Sequence, residues 1–321
     1  MTAPLMVGAA DMAGVRRMTR VIDTLGEMFT DLAGGRTRSP ARTVVEHGDQ
    51  RVLLVSPAVW EQRGVGSVKV TTLTPDNPDR GLPLIHGIVA LTDLATGRIT
   101  ALLDGAELTA VRTGAVAALA TRRCTAEDAD DLAVIGAGVQ AEALIRAVTA
   151  VRPIRGVRIH SRTRARAEQL ADRVRETASR PVRVTVCDTV KDAVADAAII
   201  CTATSTDDAT PVVEADWVAA GAHVNVIGGT HPDAIEVEPA LLAGAVTIVE
   251  ELAAALDGAG EVRAALAGGL ITADDLYELG SVVGGTADVV GRTSVLRTVG
   301  MAIEDTAAAV ALFEGVADGH V

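Results

Sequence analysis

The run Gly66-Ser67-Val68-Lys69-Val70-Thr71-Thr72 sets an ammonium in mid-strand between two valines. A lysine among apolar neighbours loses solvent around its charged form, so its pKa shifts readily and it becomes available for proton transfer. The chain otherwise uses arginine for its cations: of 29 basic residues, only Lys69 and Lys191 are lysine. Three more cations keep unusual company in the same part of the chain. Arg42 follows Ser39-Pro40 at the entry to a sheet, His86 lies in Leu84-Ile85-His86-Gly87-Ile88, and Arg112 sits beside the helical stripe Leu108, Val111 and Ala115. Each alone has a plainer reading as a snorkelling or edge-strand cation. Together they suggest a pocket that holds a carboxylate, with Lys69 placed to move a proton.

A second constellation is Gly136-Ala137-Gly138-Val139-Gln140-Ala141, which follows the apolar run Leu132-Ala133-Val134-Ile135 and opens a helical pattern. Gly136 permits a tight turn, Gly138 lets the backbone approach a pyrophosphate, and Ala141 allows close helix–strand packing, while the helix N-terminus offers N–H donors to phosphate. About twenty residues on, where a dinucleotide site commonly carries an acid for the ribose 2′-hydroxyl, the chain reads His160-Ser161-Arg162-Thr163-Arg164-Ala165-Arg166. A carboxylate there would repel a 2′-phosphate and a guanidinium can pair with it. NADP(H) is therefore favoured over NAD(H), although the same arginines can be read as the solvated start of a helix.

The elements that must position these residues fall into two sets. Residues 1–40 read as a helix through Val21, Ile22, Leu25 and Met28 that stops at Ala33-Gly34-Gly35; extended runs at 51–55, 66–73, 84–91 and 98–103 then suggest an antiparallel sheet or small barrel, followed by a helix at 106–123. After the acidic linker 125–131 the grammar becomes strand–helix alternation, the mark of a doubly wound parallel sheet. The expected fold class is thus α/β: a Rossmann-type dinucleotide domain at 125–299, plus a smaller α+β substrate and dimerisation domain formed by 1–124 with a closing helix at about 300–321. The length of 321 residues fits two domains at roughly 150 residues each. A net charge of −13 argues against nucleic acid, no apolar run suits a membrane, and three cysteines without CxxC spacing argue against both disulfides and a bound metal, so a reducing, cytoplasmic setting is expected. With five aromatic residues in all, the core must be built from Val, Leu, Ile and Ala.

The combined pattern resembles the ornithine cyclodeaminase / mu-crystallin family. It is carried by Gly34-Gly35-Arg36, Pro40-Ala41-Arg42, Lys69, Gly81-Leu82-Pro83, His86-Gly87, Leu103-Asp104-Gly105, Leu108-Thr109-Ala110-Val111-Arg112-Thr113-Gly114, the GxGxxA run and Gly300-Met301-Ala302-Ile303-Glu304-Asp305. The resemblance covers nearly the whole chain. It implies that Arg42, Lys69 and Arg112 hold a substrate carboxylate and that Thr113 meets the cofactor diphosphate. Cofactor contacts would include Gly136, Gly138, Val139, Gln140, Ser161, Arg162 and Thr163, then Thr202, Ala203 and Thr204, Val226 and Gly228, and the turn at Gly300. It also implies a homodimer.

Departures from the cyclodeaminase pattern narrow the expected chemistry. Gly228-Gly229 is followed by Thr230 where those lyases carry Asp, so Thr230 enters the catalytic set in its place. The strand before Lys69 offers Leu54 where a second acid is expected, Leu84 replaces a hydroxyl residue, and His231 and Asp233 read as capping or solvent-facing. A leucine cannot hold a distal ammonium, and burying one unpaired is costly. The expectation is an NADP(H)-dependent reductase of a small α-imino acid, or the reverse amino-acid dehydrogenase, with a small carboxylate-bearing substrate. The alternatives are an ornithine-type cyclodeaminase that recycles its own NAD, and a non-catalytic NADPH-loaded binding protein of the mu-crystallin kind.

Overall fold

Val21, Ile22, Leu25, Met28 and Phe29 return to one side of a helix every three or four residues, and α1 (Val15–Ala33) buries all five before Gly34 ends it. The computed structural model describes residues 3–48, 51–206, 209–229, 231–287 and 289–317. Its chain divides into two units, Met1–Arg112 with Met301–Val321, and Thr113–Gly300.

The first unit is built on an open seven-stranded sheet. Its strands are β1 (Leu5–Val7), β2 (Thr37–Arg38), β3 (Thr43–His47), β4 (Arg51–Trp60), β5 (Val65–Leu73), β6 (Ile85–Asp93) and β7 (Arg98–Asp104). The order is β1-β7-β6-β5-β4-β2, with β3 also on β4; β1 runs parallel to β7 and every other pairing is antiparallel. The helix expected within residues 1–40 ends at Gly34 as its sequence implied, but it starts only at Val15: β1 precedes it, because Leu5-Met6-Val7 lies flat against Ala101–Leu103 as a sheet edge. Register decides which side chains meet across this sheet. Ser56 lies opposite Lys69, and Lys69 opposite Val89, so these three share one face. The chain then enters α2 (Gly105–Cys124), and the division between the units falls within this helix.

In the second unit short apolar runs become strands because both of their faces are covered. Leu132 and Val134 of β8 (Asp131–Ile135) belong to one buried cluster, whereas Ala133 and Ile135 belong to another on the opposite face. The chain continues through α3 (Val139–Val151), β9 (Gly156–His160), α4 (Arg164–Thr177), β10 (Arg183–Val186), α5 (Val190–Val194), β11 (Ile199–Thr202), β12 (His223–Val226), α6 (Ala240–Ala243), β13 (Val246–Val249), α7 (Leu252–Gly258), α8 (Gly260–Ala267), β14 (Leu276–Glu278), α9 (Leu279–Val283) and β15 (Ser294–Arg297). All eight strands are parallel, in the order β10-β9-β8-β11-β12-β15-β13-β14. Strand order reverses between β8 and β11, the place where an open α/β sheet forms its ligand crevice. This is a Rossmann-type sheet, widened by β14 and β15, which the sequence pattern did not announce.

The final helix α10 (Ala302–Ala317) returns to the first unit. It covers the Lys69 face of the sheet, where Ser67 Oγ and Thr306 Oγ1 lie 2.7 Å apart and fully buried. No helix among the described residues is long and apolar enough to cross a membrane.

Candidate active site

In the first unit, β5, the first half of α2 and the start of α10 bring four charges together. Lys69 Nζ lies 2.7 Å from Asp305 Oδ2, Arg112 Nη1 donates to Glu304 Oε2 at 2.7 Å, and Arg112 Nε is 3.4 Å from Asp305 Oδ1. The lysine and arginine side chains are 13% and 11% exposed, and the two carboxylates 2% and 0%, so this is a buried cluster open at its cationic end. Burial lowers the Lys69 pKa from the ordinary 10.5; Asp305 pulls it back up, and Arg112 pushes it down again. An ammonium has three donors and Asp305 takes one, which leaves Lys69 able to donate to a ligand.

The other sequence candidates in this unit are placed differently. Arg42 is exposed, one residue before β3, next to the Thr43–Val55 pair. His86 is opposite Thr72, on the face of the sheet turned away from Lys69, and is exposed; it does not join the other cations. Leu54, which stands where a second acid was expected, lies across from Thr71, and Ser56 lies across from Lys69. A hydroxyl, not a carboxylate, therefore faces the ammonium from β4.

The C-terminal ends of the second unit's strands offer a candidate cradle for a dinucleotide. Gly136 has φ +124°, a conformation strained for any residue with a Cβ, and a Cβ there would fall 2.3 Å from the Ala203 carbonyl oxygen. Gly138 caps α3 with no side-chain bond to the first turn, and a Cβ built on it would meet nothing within 4 Å. The uncapped N–H groups of α3 and the open space over Gly138 suit a pyrophosphate, so the residues fit a dinucleotide. Val139 is exposed and Gln140 half-buried in the same turn, and Thr113 is buried at the first residue of the unit. Ser161 is half-buried, and Arg162 and Thr163 are exposed beyond β9.

The strand end is less free of acids than its own sequence implied. Asp188, arriving after β10, pairs closely with Arg164, which also holds Glu168 at 2.9 Å. Arg162 and Arg166 make no ion pair among the described residues. Past β11 and β12, Thr202 and Val226 are buried while Ala203, Thr204 and Gly228 are half-buried; Gly300 is half-buried with φ +79°. Thr230 lies outside the described residues. His231 and Asp233 are exposed, and Asp233 N donates to His231 Nδ1 at 3.3 Å.

A family model described as ornithine cyclodeaminase/mu-crystallin matches residues 2–320. The chain belongs to this family. Among its relatives, the Δ1-pyrroline-2-carboxylate reductase of Bacillus cereus is 33% identical over 318 residues, covering 97% of this chain and 96% of that one. The ketimine reductase mu-crystallin of Rattus norvegicus is 34% identical over 293 residues, 91% of this chain and 89% of that one. Among solved structures, Thermococcus litoralis Δ1-pyrroline-2-carboxylate reductase in complex with NADH and L-proline superposes with a TM-score of 0.90 at 27% identity, covering 99% of this chain and 98% of the other.

Four site carboxylates were given no role by sequence reasoning. Glu304 and Asp305 open α10, a helix otherwise almost wholly apolar, and Glu236 and Glu250 sit fully buried past the strand ends. The available signal was an acid with apolar neighbours on both sides, as in Ala234-Ile235-Glu236-Val237. Glu250 Oε2 accepts from Val299 N and Gly300 N at 2.8 and 2.9 Å and so fixes the turn at Gly300. Burial raises the Glu236 pKa; the hydroxyls of Thr204 and Thr202, the Thr204 N–H and Arg297 pull it back. No group of three or more His, Cys, Asp or Glu that could hold a metal occurs among the described residues.

Proposed function

We propose that the chain is a nicotinamide-dependent reductase of the C=N bond of a small cyclic α-imino acid, with a five-membered ring of the Δ1-pyrroline-2-carboxylate kind as the first candidate. The observation that carries this reading is the buried Lys69–Asp305 and Arg112–Glu304 cluster, found in a chain whose relatives include a pyrroline-carboxylate reductase and a ketimine reductase. Reducing an imine takes one hydride at carbon and one proton at nitrogen. The dinucleotide, when bound, supplies the hydride. Lys69 supplies the proton from an ammonium whose pKa burial has already lowered. Arg112, steadied by Glu304, and Arg42 grip the carboxylate, and this orientation alone removes a large part of the barrier. Thr230, in place of the lyases' acid, completes the catalytic set in this reading.

In the second unit Gly136, Gly138, Val139 and Gln140 would hold the pyrophosphate with Thr113, and Ser161, Arg162 and Thr163 the adenosine ribose. NADP(H) is the preferred cofactor in this reading because Arg162 and Arg166 are not engaged by any carboxylate among the described residues. The Thermococcus relative is described with NADH, so the choice rests on these arginines. A homodimer is the proposed working state, and Val45, Ile88 and Ile99 leave apolar side chains exposed on the first unit's sheet.

The test is a panel of Δ1-pyrroline-2-carboxylate, Δ1-piperideine-2-carboxylate, linear keto acids with amines, and ornithine, each with NADPH and NADH. Cyclic imino acids should consume NADPH stoichiometrically. Release of ammonia from ornithine without net change in dinucleotide would replace this reading with the lyase, and dinucleotide binding without turnover of any imine would replace it with a ligand-binding role.

A further inference from the structure

Glu236 has no counterpart among the residues that the sequence pattern marks, yet it organises more of the second unit's strand ends than any of them. It is 0% exposed and lies beyond β12, and its carboxylate accepts four hydrogen bonds. Oε2 accepts from Thr202 Oγ1 at 2.7 Å and from Gly228 N at 2.6 Å; Oε1 accepts from Thr204 N at 2.6 Å and Thr204 Oγ1 at 2.7 Å. Thr202 and Thr204 follow β11, and Gly228 follows β12. One side chain thus ties together the exits of two adjacent strands. Each oxygen meets one backbone N–H, that of Thr204 or of Gly228, which can only donate, and the two threonine hydroxyls complete the set.

The tie is itself braced. Glu236 N donates to Glu261 Oε1 at 2.6 Å, and Glu261 Oε2 lies 2.8 Å from Arg297 Nε. Arg297 in turn donates to the carbonyls of Gly228 and Gly229 at 2.8 Å each. Gly228 is therefore held through its N–H by an acid and through its C=O by a base. The fit is tight enough that a Cβ at 228 would fall 2.4 Å from Glu236 Oε1 and 2.3 Å from the Thr204 carbonyl oxygen.

In a doubly wound sheet a dinucleotide lies across the switch point, here between β8 and β11. The ribose-reading residues after β9 mark the adenosine side, so the exits of β11 and β12 lie under the nicotinamide side. No comparable buried acid ties the adenosine side among the described residues, where Arg162 and Thr163 are exposed. We propose that Glu236, braced by Glu261 and Arg297, is a positioning residue for the nicotinamide half of the cofactor, fixing the Thr204 and Gly228 backbone into one rigid floor. This rests on the dinucleotide-dependent reading above.

The test compares two ligands by calorimetry on the full-length protein: the intact reduced dinucleotide, and the matching ADP-ribose (with its 2′-phosphate if NADPH is preferred), which lacks the nicotinamide. Glu236→Gln keeps the shape but sets an amide NH2 against a backbone N–H, that of Thr204 or of Gly228, which can only donate. It should weaken the intact dinucleotide by about tenfold or more and leave the fragment within about twofold. Equal weakening of both ligands, or of neither, overturns the proposal. Should Glu236→Gln fail to fold, Thr202→Val removes one fully buried donor to the same carboxylate. It should weaken the intact dinucleotide by about threefold with the fragment unchanged, and an unchanged dinucleotide affinity in that variant overturns the proposal. If the wild-type protein binds neither NADPH nor NADH, the dinucleotide reading itself falls and takes this role with it.

Discussion

Lys69 holds its proton against opposing influences, and their balance sets how it can work. Burial lowers its pKa and is the largest effect, Asp305 at 2.7 Å raises it, and Arg112 lowers it. As proton donor it must be an ammonium, so imine reduction should fall as pH rises through the Lys69 pKa, and that alkaline limb should lie below the ordinary lysine value of 10.5. Asp305→Asn removes the largest influence that raises the pKa, leaving only the weaker pull of Glu304, so the limb should move to still lower pH. Lys69→Ala should cost about 10²- to 10⁴-fold in kcat with dinucleotide affinity unchanged. A pH–rate profile of the three proteins, with dinucleotide titrations beside it, measures all of this. A limb that stays in place in Asp305→Asn would remove Lys69 from the proton's path. The importance of Lys69 was legible from its two valine neighbours, but its partner was not, because 236 residues of chain separate it from Asp305 and nothing local pairs them.

At the scale of elements, the β8–α3 turn was the most legible part of the molecule. A glycine needed for a positive φ, and another needed for open space, are chemical requirements that fall within six consecutive residues. Gly138→Ala separates ligand from fold: the new methyl meets no protein atom within 4 Å, and φ −90° is an ordinary value for alanine. The melting temperature should therefore hold, while the dinucleotide, whose phosphate needs that space, should bind about tenfold or more weakly. Thermal unfolding and dinucleotide titration of the one variant check both halves, and undiminished binding would move the pyrophosphate elsewhere. Other elements were harder to foresee for physical reasons. Of the outer strands, β2 is only two residues long, and β3 is exposed throughout and carries little hydrophobic alternation. β14 and β15 lie among short helices that blur the strand signal. Which residue meets Lys69 across the sheet was hidden because register depends on the partner strand: β4 brings Ser56 opposite Lys69 and Leu54 opposite Thr71 on the same face.

For the molecule as a whole, a chain with so few rings fills its interior with small aliphatic residues, and it then admits a buried polar chain in the second unit. Asn225 Nδ2 donates to Thr121 Oγ1 at 3.0 Å, which turns its Oδ1 toward His223 Nε2 at 3.2 Å; the ring's Nε2 therefore donates, and Nδ1 accepts from Ser294 Oγ at 2.9 Å. His223 is thus fixed neutral, and burial lowers its pKa from 6.5 to about 4. The unfolded chain takes up this proton first as pH falls, so the contribution to stability is complete above about pH 6.5 and disappears as pH drops toward 4. The amount at stake is on the order of 3 kcal/mol. His223→Gln should lose some stability at neutral pH, yet its stability should fall less steeply between pH 7 and pH 4 than that of the parent, by about that amount. Carboxylates titrating in the same window affect both proteins alike and cancel in the difference. Trp217 packs against the same unit's core, so its fluorescence in a Trp60→Phe background reports denaturant unfolding of that unit. Parallel stability curves for the two proteins across this range would show that His223 does not resist protonation, and the neutral polar chain would then not be what ties this unit's stability to acid.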